Sequence, residues 1–144
     1  MNDEQKGEIL IYLSEKGSTK IEVRLENENI WLNQAQLVDL YQSSKSNISE
    51  HIKHIFEEGE LREELVVRKF RTTTKHGAIE GKTQENWTKF YNLDMIISLG
   101  YRIKSRIATK FRIWATERLK EYMIKGFTMD DERLKQLGGG GYWY

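Results

Sequence analysis

Short runs rich in apolar residues near the start of the chain predict three strands: residues 8–13, 19–25 and 30–32. The second run alternates apolar and polar residues. In the second strand, Ile21, Val23 and Leu25 fall on one face. Gly17 lies in the turn between the first two strands, where a glycine can take the positive φ of a hairpin turn. Together the strands and their short turns predict a small antiparallel β-meander.

Helical spacing replaces the alternation at Asn33 and predicts two helices. Asn33 can cap the first helix, and Gln36 completes a capping box. The second helix covers residues 46–58 and has an apolar stripe of Ile48, Ile52, Ile55 and Phe56. Two helices joined by a short turn match the helix-turn-helix, whose second helix reads base edges in the major groove of DNA. The alternative is a helical hairpin that only builds the core.

Residues 65–91 predict a β-hairpin rich in lysine and arginine. A basic hairpin directly after a helix-turn-helix has the position of a wing, and an ordinary surface hairpin is the alternative. A helix over 95–99 is predicted to end at Gly100, and a long basic helix over 105–125 at Gly126. The predicted fold class is therefore α+β, with an N-terminal antiparallel β-meander, a helix-turn-helix, a β-hairpin wing and a long C-terminal basic helix.

Length and composition fit one soluble domain with a short appendage. We divide the 144 residues into a winged helix-turn-helix-like DNA-binding domain over 1–126 and a tail over 127–144 that we expect to begin a truncated second region. The chain has no cysteine, which excludes disulfides and thiolate metal sites. It has no apolar run of membrane-spanning length and no signal-peptide pattern at its start, so we expect a cytoplasmic protein without membrane contact.

The charge distribution changes this picture more than the net charge of +1 does. Residues 1–30 hold four basic and seven acidic side chains, whereas residues 101–125 hold eight basic and two acidic ones. The hairpin region 65–92 is also basic, with six cations against two carboxylates. Such asymmetry favours a polyanionic partner, double-stranded DNA in this reading, although solvated charged faces give the same pattern.

Candidate DNA contacts fall into two groups. Polar side chains at the start and on the outer arc of the second helix are predicted to read bases: Ser44, Lys45, Ser46, Asn47, Ser49, Glu50, Lys53 and His54. Basic side chains on the hairpin and the long helix are predicted to contact phosphates: Arg68, Lys69, Arg71, Lys75, Lys82, Arg106 and Lys110.

No motif in the sequence nominates a reaction. His51 and His54 have helical spacing for two metal ligands, but no third histidine or cysteine lies nearby. The tetraglycine at 138–141 lacks the Lys-Ser/Thr pair of a phosphate-binding loop. We therefore expect no enzyme activity, no metal, no cofactor and no small-molecule substrate.

Several segments resemble the virulence RhuM family: residues 19–25, 30–34, 48–61, 68–71, 90–102, 111–116 and 121–127. The resemblance covers about residues 7–142. It implies a bacterial protein of a pathogenicity island or another mobile element, and family members typically continue into a further helical part. More distantly, residues 91–126 resemble the end of phage antirepressor DNA-binding domains of the Bro-N type, through the Phe111-Arg-Ile-Trp114 pattern.

We therefore expect a sequence-specific DNA-binding protein, a transcriptional regulator linked to a mobile element. The first alternative is a protein-interaction module with an apolar patch near Ile113, Phe127 and Tyr142, any enzymatic activity lying in a missing C-terminal part. The second is an enzyme of the toxin or nuclease kind. We also expect a homodimer, because one recognition helix reads only half of a symmetric site.

Overall fold

The computed structural model describes residues 7–14, 17, 19–75 and 83–136, and over 126–136 it describes the backbone. Within that part of the chain, ten elements follow one another in the order β1 (Glu8–Leu13), β2 (Lys20–Glu26), β3 (Asn29–Asn33), α1 (Gln34–Tyr41), α2 (Lys45–Glu57), α3 (Glu63–Val66), β4 (Val67–Lys75), β5 (Thr83–Asn92), α4 (Leu93–Ile103) and α5 (Ser105–Gln136). The α+β class is confirmed.

The strands form one antiparallel sheet in the order β1-β2-β3-β5-β4. The meander is confirmed, and its turn at Asn27 and Glu28 has φ of 56° and 58°, as a two-residue hairpin turn requires. The hairpin β4–β5 is not a separate ribbon. It joins the meander where Leu32 of β3 pairs with Tyr91 of β5, so the sheet runs without a break from β1 to β4.

The helices pack against one face of the sheet, which we call the helix-covered face. Alternation places Ile21, Val23 and Leu25 of β2 on this face, and all three are buried in the main core. Tyr12 of β1 shares the face and packs edge-on against Phe111 of α5, with ring centroids 5.0 Å apart. The core therefore lies between the sheet and the helical layer.

The opposite face, which we call the open face, carries a small aromatic cluster of its own. Trp31, Phe70 and Phe90 bury one another there, and the Arg24 guanidinium lies 4.3 Å from the centre of the Phe70 ring. Trp31 Nε1 donates a hydrogen bond of 2.9 Å to the carbonyl of Glu26. The cluster stabilises the sheet where β2, β3, β5 and β4 meet. The main core lies on the opposite, helix-covered face.

Two predicted helix ends are wrong. Gly100 lies inside α4, and it is a glycine because the chains approach closely there: an added Cβ would fall 2.6 Å from the Cβ of Ala108 and closer still to the Tyr41 hydroxyl. Helix α5 likewise continues through Gly126 to Gln136. One glycine costs a helix only about 1 kcal/mol relative to alanine, which is too little to end a helix by itself.

The start of the hairpin also differs from the prediction. Leu65 and Val66 were predicted as strand, but they belong to the short helix α3. Glu63 and Glu64 occupy the first turn of α3, where negative charge stabilises a helix N-terminus, and Val66 is buried in the core. The predicted tail 127–144 begins within the backbone of α5, and residues 137–144 lie outside the described part of the chain.

Candidate nucleic-acid interface

Helices α1 and α2 are joined by a three-residue turn over 42–44. Gln42 takes the left-handed conformation, with φ 49°, that glycine usually provides at such a position. The backbone N–H groups of Gln42 and Ser43 both donate to the carbonyl of Val38, which closes α1. Ser44 then caps α2, since its hydroxyl accepts a hydrogen bond of 3.0 Å from the backbone N–H of Asn47. The turn is thus fixed by its own hydrogen bonds.

The predicted capping box at the start of α1 is confirmed. The Asn33 side chain accepts from the backbone N–H of Gln36 at 2.9 Å, and the Gln36 side chain accepts from the backbone N–H of Asn33 at 2.8 Å. The next residue, Gln34, reaches across to α2, where its amide donates to the Lys45 carbonyl at 3.2 Å and to the Ser49 hydroxyl. These bonds set the position of the first turn of α2 relative to α1.

The inner side of α2 is held by packing and by an ion-pair cluster. Ile48, Ile52 and Ile55 are buried, which confirms the predicted apolar stripe. Beyond the end of α2, Arg102 of α4 donates to Glu58 at 2.6 Å and to Glu60 at 2.8 Å. The hydrogen bond from Arg102 holds the pKa of the Glu60 carboxyl below its usual range. Both ends of α2 are therefore attached to neighbouring helices.

Tyr41, the last residue of α1, fixes α1 to α4. Its hydroxyl donates a hydrogen bond of 2.7 Å to the carbonyl of Ile96. Burial raises the pKa of Tyr41 well above its ordinary value, so the hydroxyl keeps its proton and remains a donor. The contact joins α1 to the helix that also holds Arg102.

The residues predicted to read bases lie together at the start and on the outer arc of α2. Seven of the eight are exposed, and His54 is half-buried: Ser44, Lys45, Ser46, Asn47, Ser49, Glu50, Lys53 and His54. Several already have partners in the chain. Asn47 donates from its amide to the Ser43 hydroxyl at 2.8 Å, and Glu50 lies 3.7 Å from the imidazole of His54. Asn47 retains a second N–H and an amide oxygen for a ligand.

The two lysines of this group differ from Glu50 and His54 in their ion pairing. Among the described residues, no acidic side chain forms an ion pair with Lys45 or Lys53, and both lysines are exposed. Lys45 is the first residue of α2 and Lys53 lies two turns further along. They place one positive charge at the start of the helix and one on its outer arc.

Strand alternation divides the predicted phosphate contacts on the hairpin between the two faces of the sheet. Lys69 and Arg71 share the helix-covered face with Lys89 and Tyr91, because Lys69 pairs with Lys89 in the β4–β5 ladder. Arg68 points to the open face, where its guanidinium lies 5.4 Å from the centre of the Trp31 ring. Arg68 and Lys69 therefore do not form one contact surface.

Four further predicted contacts lie outside the described side chains or away from the hairpin. Lys75 ends β4, and its side chain lies outside the described part, as does the whole of Lys82. Arg106 and Lys110 are exposed on α5, and each already has an interaction within the chain. Their contact with phosphates stays a prediction.

Sequence reasoning missed a groove on the helix-covered face. Its volume is about 550 Å³, and it is lined by Asn33, Gln34, Ala35, Val38, Asp39, Lys45, Thr88, Lys89 and Tyr91. The groove joins the first residue of α2 to strand β5, and it places Lys45 and Lys89 at its walls. The pairing of β5 with β3 brings the groove residues together. Because these strands are far apart in the sequence, no local pattern predicts the groove.

Sequence reasoning missed Trp87 as well, although it lies within the predicted hairpin 65–91. The residue lies within β5 and is 63% exposed. Counting back by twos from the buried Tyr91 places Lys89 and Trp87 on the helix-covered face, a signal that was present in the sequence. The Arg71 guanidinium lies 5.2 Å from the centre of the Trp87 ring.

Among the described residues, no group of three histidine or carboxylate side chains could hold a metal ion. A search of the same residues finds no helix long and apolar enough to cross a membrane.

Comparison with protein families matches residues 65–144 to the virulence protein RhuM family. The matched region begins within α3 and includes the hairpin, α4 and α5, and it does not include α1 or α2. Comparisons with curated proteins and with solved structures found no match. Because the family match covers more than half of the chain, the protein belongs to the virulence protein RhuM family.

Proposed function

We propose that the protein binds double-stranded DNA in a sequence-specific manner and regulates transcription. The observation that carries this proposal is the groove, whose walls include both Lys45 of α2 and Lys89 of β5. Lys69 is the cross-strand neighbour of Lys89, so cations of helix and hairpin occupy one continuous surface on the helix-covered side. A polyanion that lies against α2 meets the hairpin cations as well.

In this proposal, α2 lies in the major groove. Ser46, Asn47 and Lys53 face the base edges, and their hydroxyl, amide and ammonium groups supply the donors and acceptors that discrimination requires. Lys69 and Arg71 contact phosphates, which orient the protein without reading sequence. The hydrogen bonds of Gln34 and the ion pairs of Arg102 support the proposal, because they hold α2 in place before DNA binds.

The test begins with selection of a preferred duplex from random sequences, followed by fluorescence anisotropy titrations. N47A and K53A are expected to reduce the preference for the selected duplex over a scrambled one, by about 1–3 kcal/mol for each good bidentate contact that is lost. K69A is expected to weaken both duplexes alike and to lower the salt slope by roughly one unit.

The matched control is K120A, which removes an exposed lysine of α5 outside the proposed surface. It is expected to leave preference and salt slope within error of the wild type. A binding constant that does not change with salt contradicts the proposal, as does a preference that survives both N47A and K53A.

A protein-interaction module is the second candidate function, and one observation favours it. Ile9, Ile11 and Leu13 of the edge strand β1 are each at least half exposed on the open face. Ile113 and Ile124 of α5 are also at least half exposed. Edge strands with apolar side chains pair readily with other chains. If these residues bind a partner protein, I11K is expected to abolish that binding and to leave any DNA affinity unchanged.

A further inference from the structure

The Trp87 side chain is exposed on the hairpin and does not lie in the core. Its indole is 63% exposed, so it forgoes most of the stabilisation that a buried aromatic side chain provides. Arg71 lies over the ring at 5.2 Å and is itself placed by Glu85, 3.5 Å from its guanidinium. The indole is thus supported by Arg71, and most of its surface is accessible to a ligand.

The neighbouring cross-strand pair consists of two cations. Lys69 and Lys89 are directly opposite each other on the same face of β4 and β5, an arrangement that destabilises a hairpin unless an anion binds there. Glu63 offsets part of this charge, at 3.7 Å from the Lys89 ammonium. Both carboxylate and ammonium remain about half exposed, so water screens the pair. The lysine pair therefore indicates an anionic ligand, and this observation is independent of the exposed indole of Trp87.

The groove lies next along the same face. Tyr91 and Lys89 line it, and Trp87 lies two residues before Lys89, about 7 Å away along the strand. A volume of about 550 Å³ is within the range of sites that enclose small organic molecules. Polar side chains on its walls include those of Gln34, Asp39 and Lys45, which offer both donors and acceptors.

We propose that this face receives an unpaired nucleotide of the bound DNA. The base stacks on the indole of Trp87, and its flanking phosphates contact the ammonium groups of Lys69 and Lys89. The nucleotide must be unpaired, because in an intact duplex both faces of each base are covered by its neighbours. The proposal rests on the proposed DNA binding, and it specifies DNA with a bulge, a flipped base or a single-stranded gap as the preferred ligand.

The experiment compares two labelled 24-base-pair DNAs, a perfect duplex and the same duplex with three extra thymidines in one strand. Wild-type protein is expected to bind the bulged DNA at least fivefold more tightly and to lose part of its tryptophan emission on binding. W87A is expected to lose about 5- to 150-fold in affinity for the bulged DNA, because stacking of one base contributes about 1–3 kcal/mol. Its affinity for the perfect duplex is expected to change less than twofold.

Two variants serve as controls. W87F keeps a stacking ring and is expected to restore most of the affinity that W87A loses. Y101A removes a half-exposed aromatic side chain of α4, and is expected to leave binding of both DNAs unchanged. Circular dichroism melting checks that each variant is folded, which is expected because Trp87 and Tyr101 are exposed.

The outcomes separate this inference from the proposed function. Equal affinity of the wild type for both DNAs overturns the inference, and so does an equal loss on both DNAs in W87A. If N47A and K53A abolish the preference for a selected duplex while W87A changes nothing, duplex reading stands and the inference fails. If the protein binds only the bulged DNA and W87A removes that binding, the inference stands and sequence reading by α2 fails.

Discussion

Replacing Gly100 with alanine tests how the helical layer holds α1 in place. Gly100 is buried in α4, and an added Cβ would lie 2.6 Å from the Ala108 Cβ of α5, closer than two carbon atoms pack. The same Cβ would meet the Tyr41 hydroxyl of α1, which donates to the Ile96 carbonyl. One methyl group therefore strains the contact at which three helices meet.

The size of the effect follows from three contributions. Alanine is favoured over glycine inside a helix by about 0.5–1 kcal/mol. Overpacking of a closely packed core costs about 1–3 kcal/mol. Displacement of the Tyr41 hydroxyl leaves a buried polar group without its partner, at a further cost of about 1–3 kcal/mol. The expected loss of unfolding free energy is about 1–5 kcal/mol, which lowers Tm by at least about 3 °C for a chain of this length.

Urea and thermal denaturation of G100A, followed by circular dichroism, measure this loss. A double-mutant cycle with A108G and with Y41F shows its origin, because each second change removes one of the atoms that the new methyl group meets. Both are expected to recover part of the lost stability. If G100A melts at or above the wild-type temperature, or if neither second change couples to it, Gly100 does not lie at this close contact and the packing argument is wrong.

Three further predictions concern the same framework. N33A removes the capping box of α1 and is expected to lower the unfolding free energy by about 0.5–2 kcal/mol in urea denaturation, with N33D close to wild type; an unchanged N33A would contradict the role of the cap. R102A removes the hydrogen bond that lowers the pKa of Glu60 from its usual 4.5. The loss of unfolding free energy in R102A is therefore expected to be full above about pH 5 and to shrink as the pH falls through the lowered pKa. A loss that grows in acid would contradict this linkage. Sedimentation of the full chain is expected to show a homodimer and of residues 1–126 a monomer; a dimer in both places the interface elsewhere, and a monomer in both removes the idea.

Local signals in the sequence predicted most of the elements. The capping box of Asn33 and the buried stripe Ile48, Ile52 and Ile55 depend on residues within a few positions of one another, and both are confirmed. Alternation located β2 for the same reason. Gly100 was misread because a glycine that ends a helix and a glycine that admits a close neighbour look alike in sequence. The neighbour, Tyr41, lies on another helix, and only the folded chain brings it there.

The candidate site was predicted in part. Its polar arc was visible in the sequence, because Ser46, Asn47 and Lys53 fall opposite the apolar stripe of α2 on a helical wheel. The groove was not, since it depends on the pairing of β3 with β5 across a long separation in the chain. The separation of Arg68 from Lys69 follows from alternation, but which face carries the helices is a consequence of packing.

Hydrogen–deuterium exchange of the protein with and without its selected duplex tests the central claim most directly, because it maps the surface that DNA covers. The account predicts slower exchange over residues 34–57 and 67–72 and over 85–91. It predicts no change over β1, where Ile9, Ile11 and Leu13 are exposed, or over residues 105–125 of α5. Slower exchange confined to β1 and α5, with α2 and the hairpin unchanged, would contradict the claim that α2 and the hairpin form one DNA-binding surface.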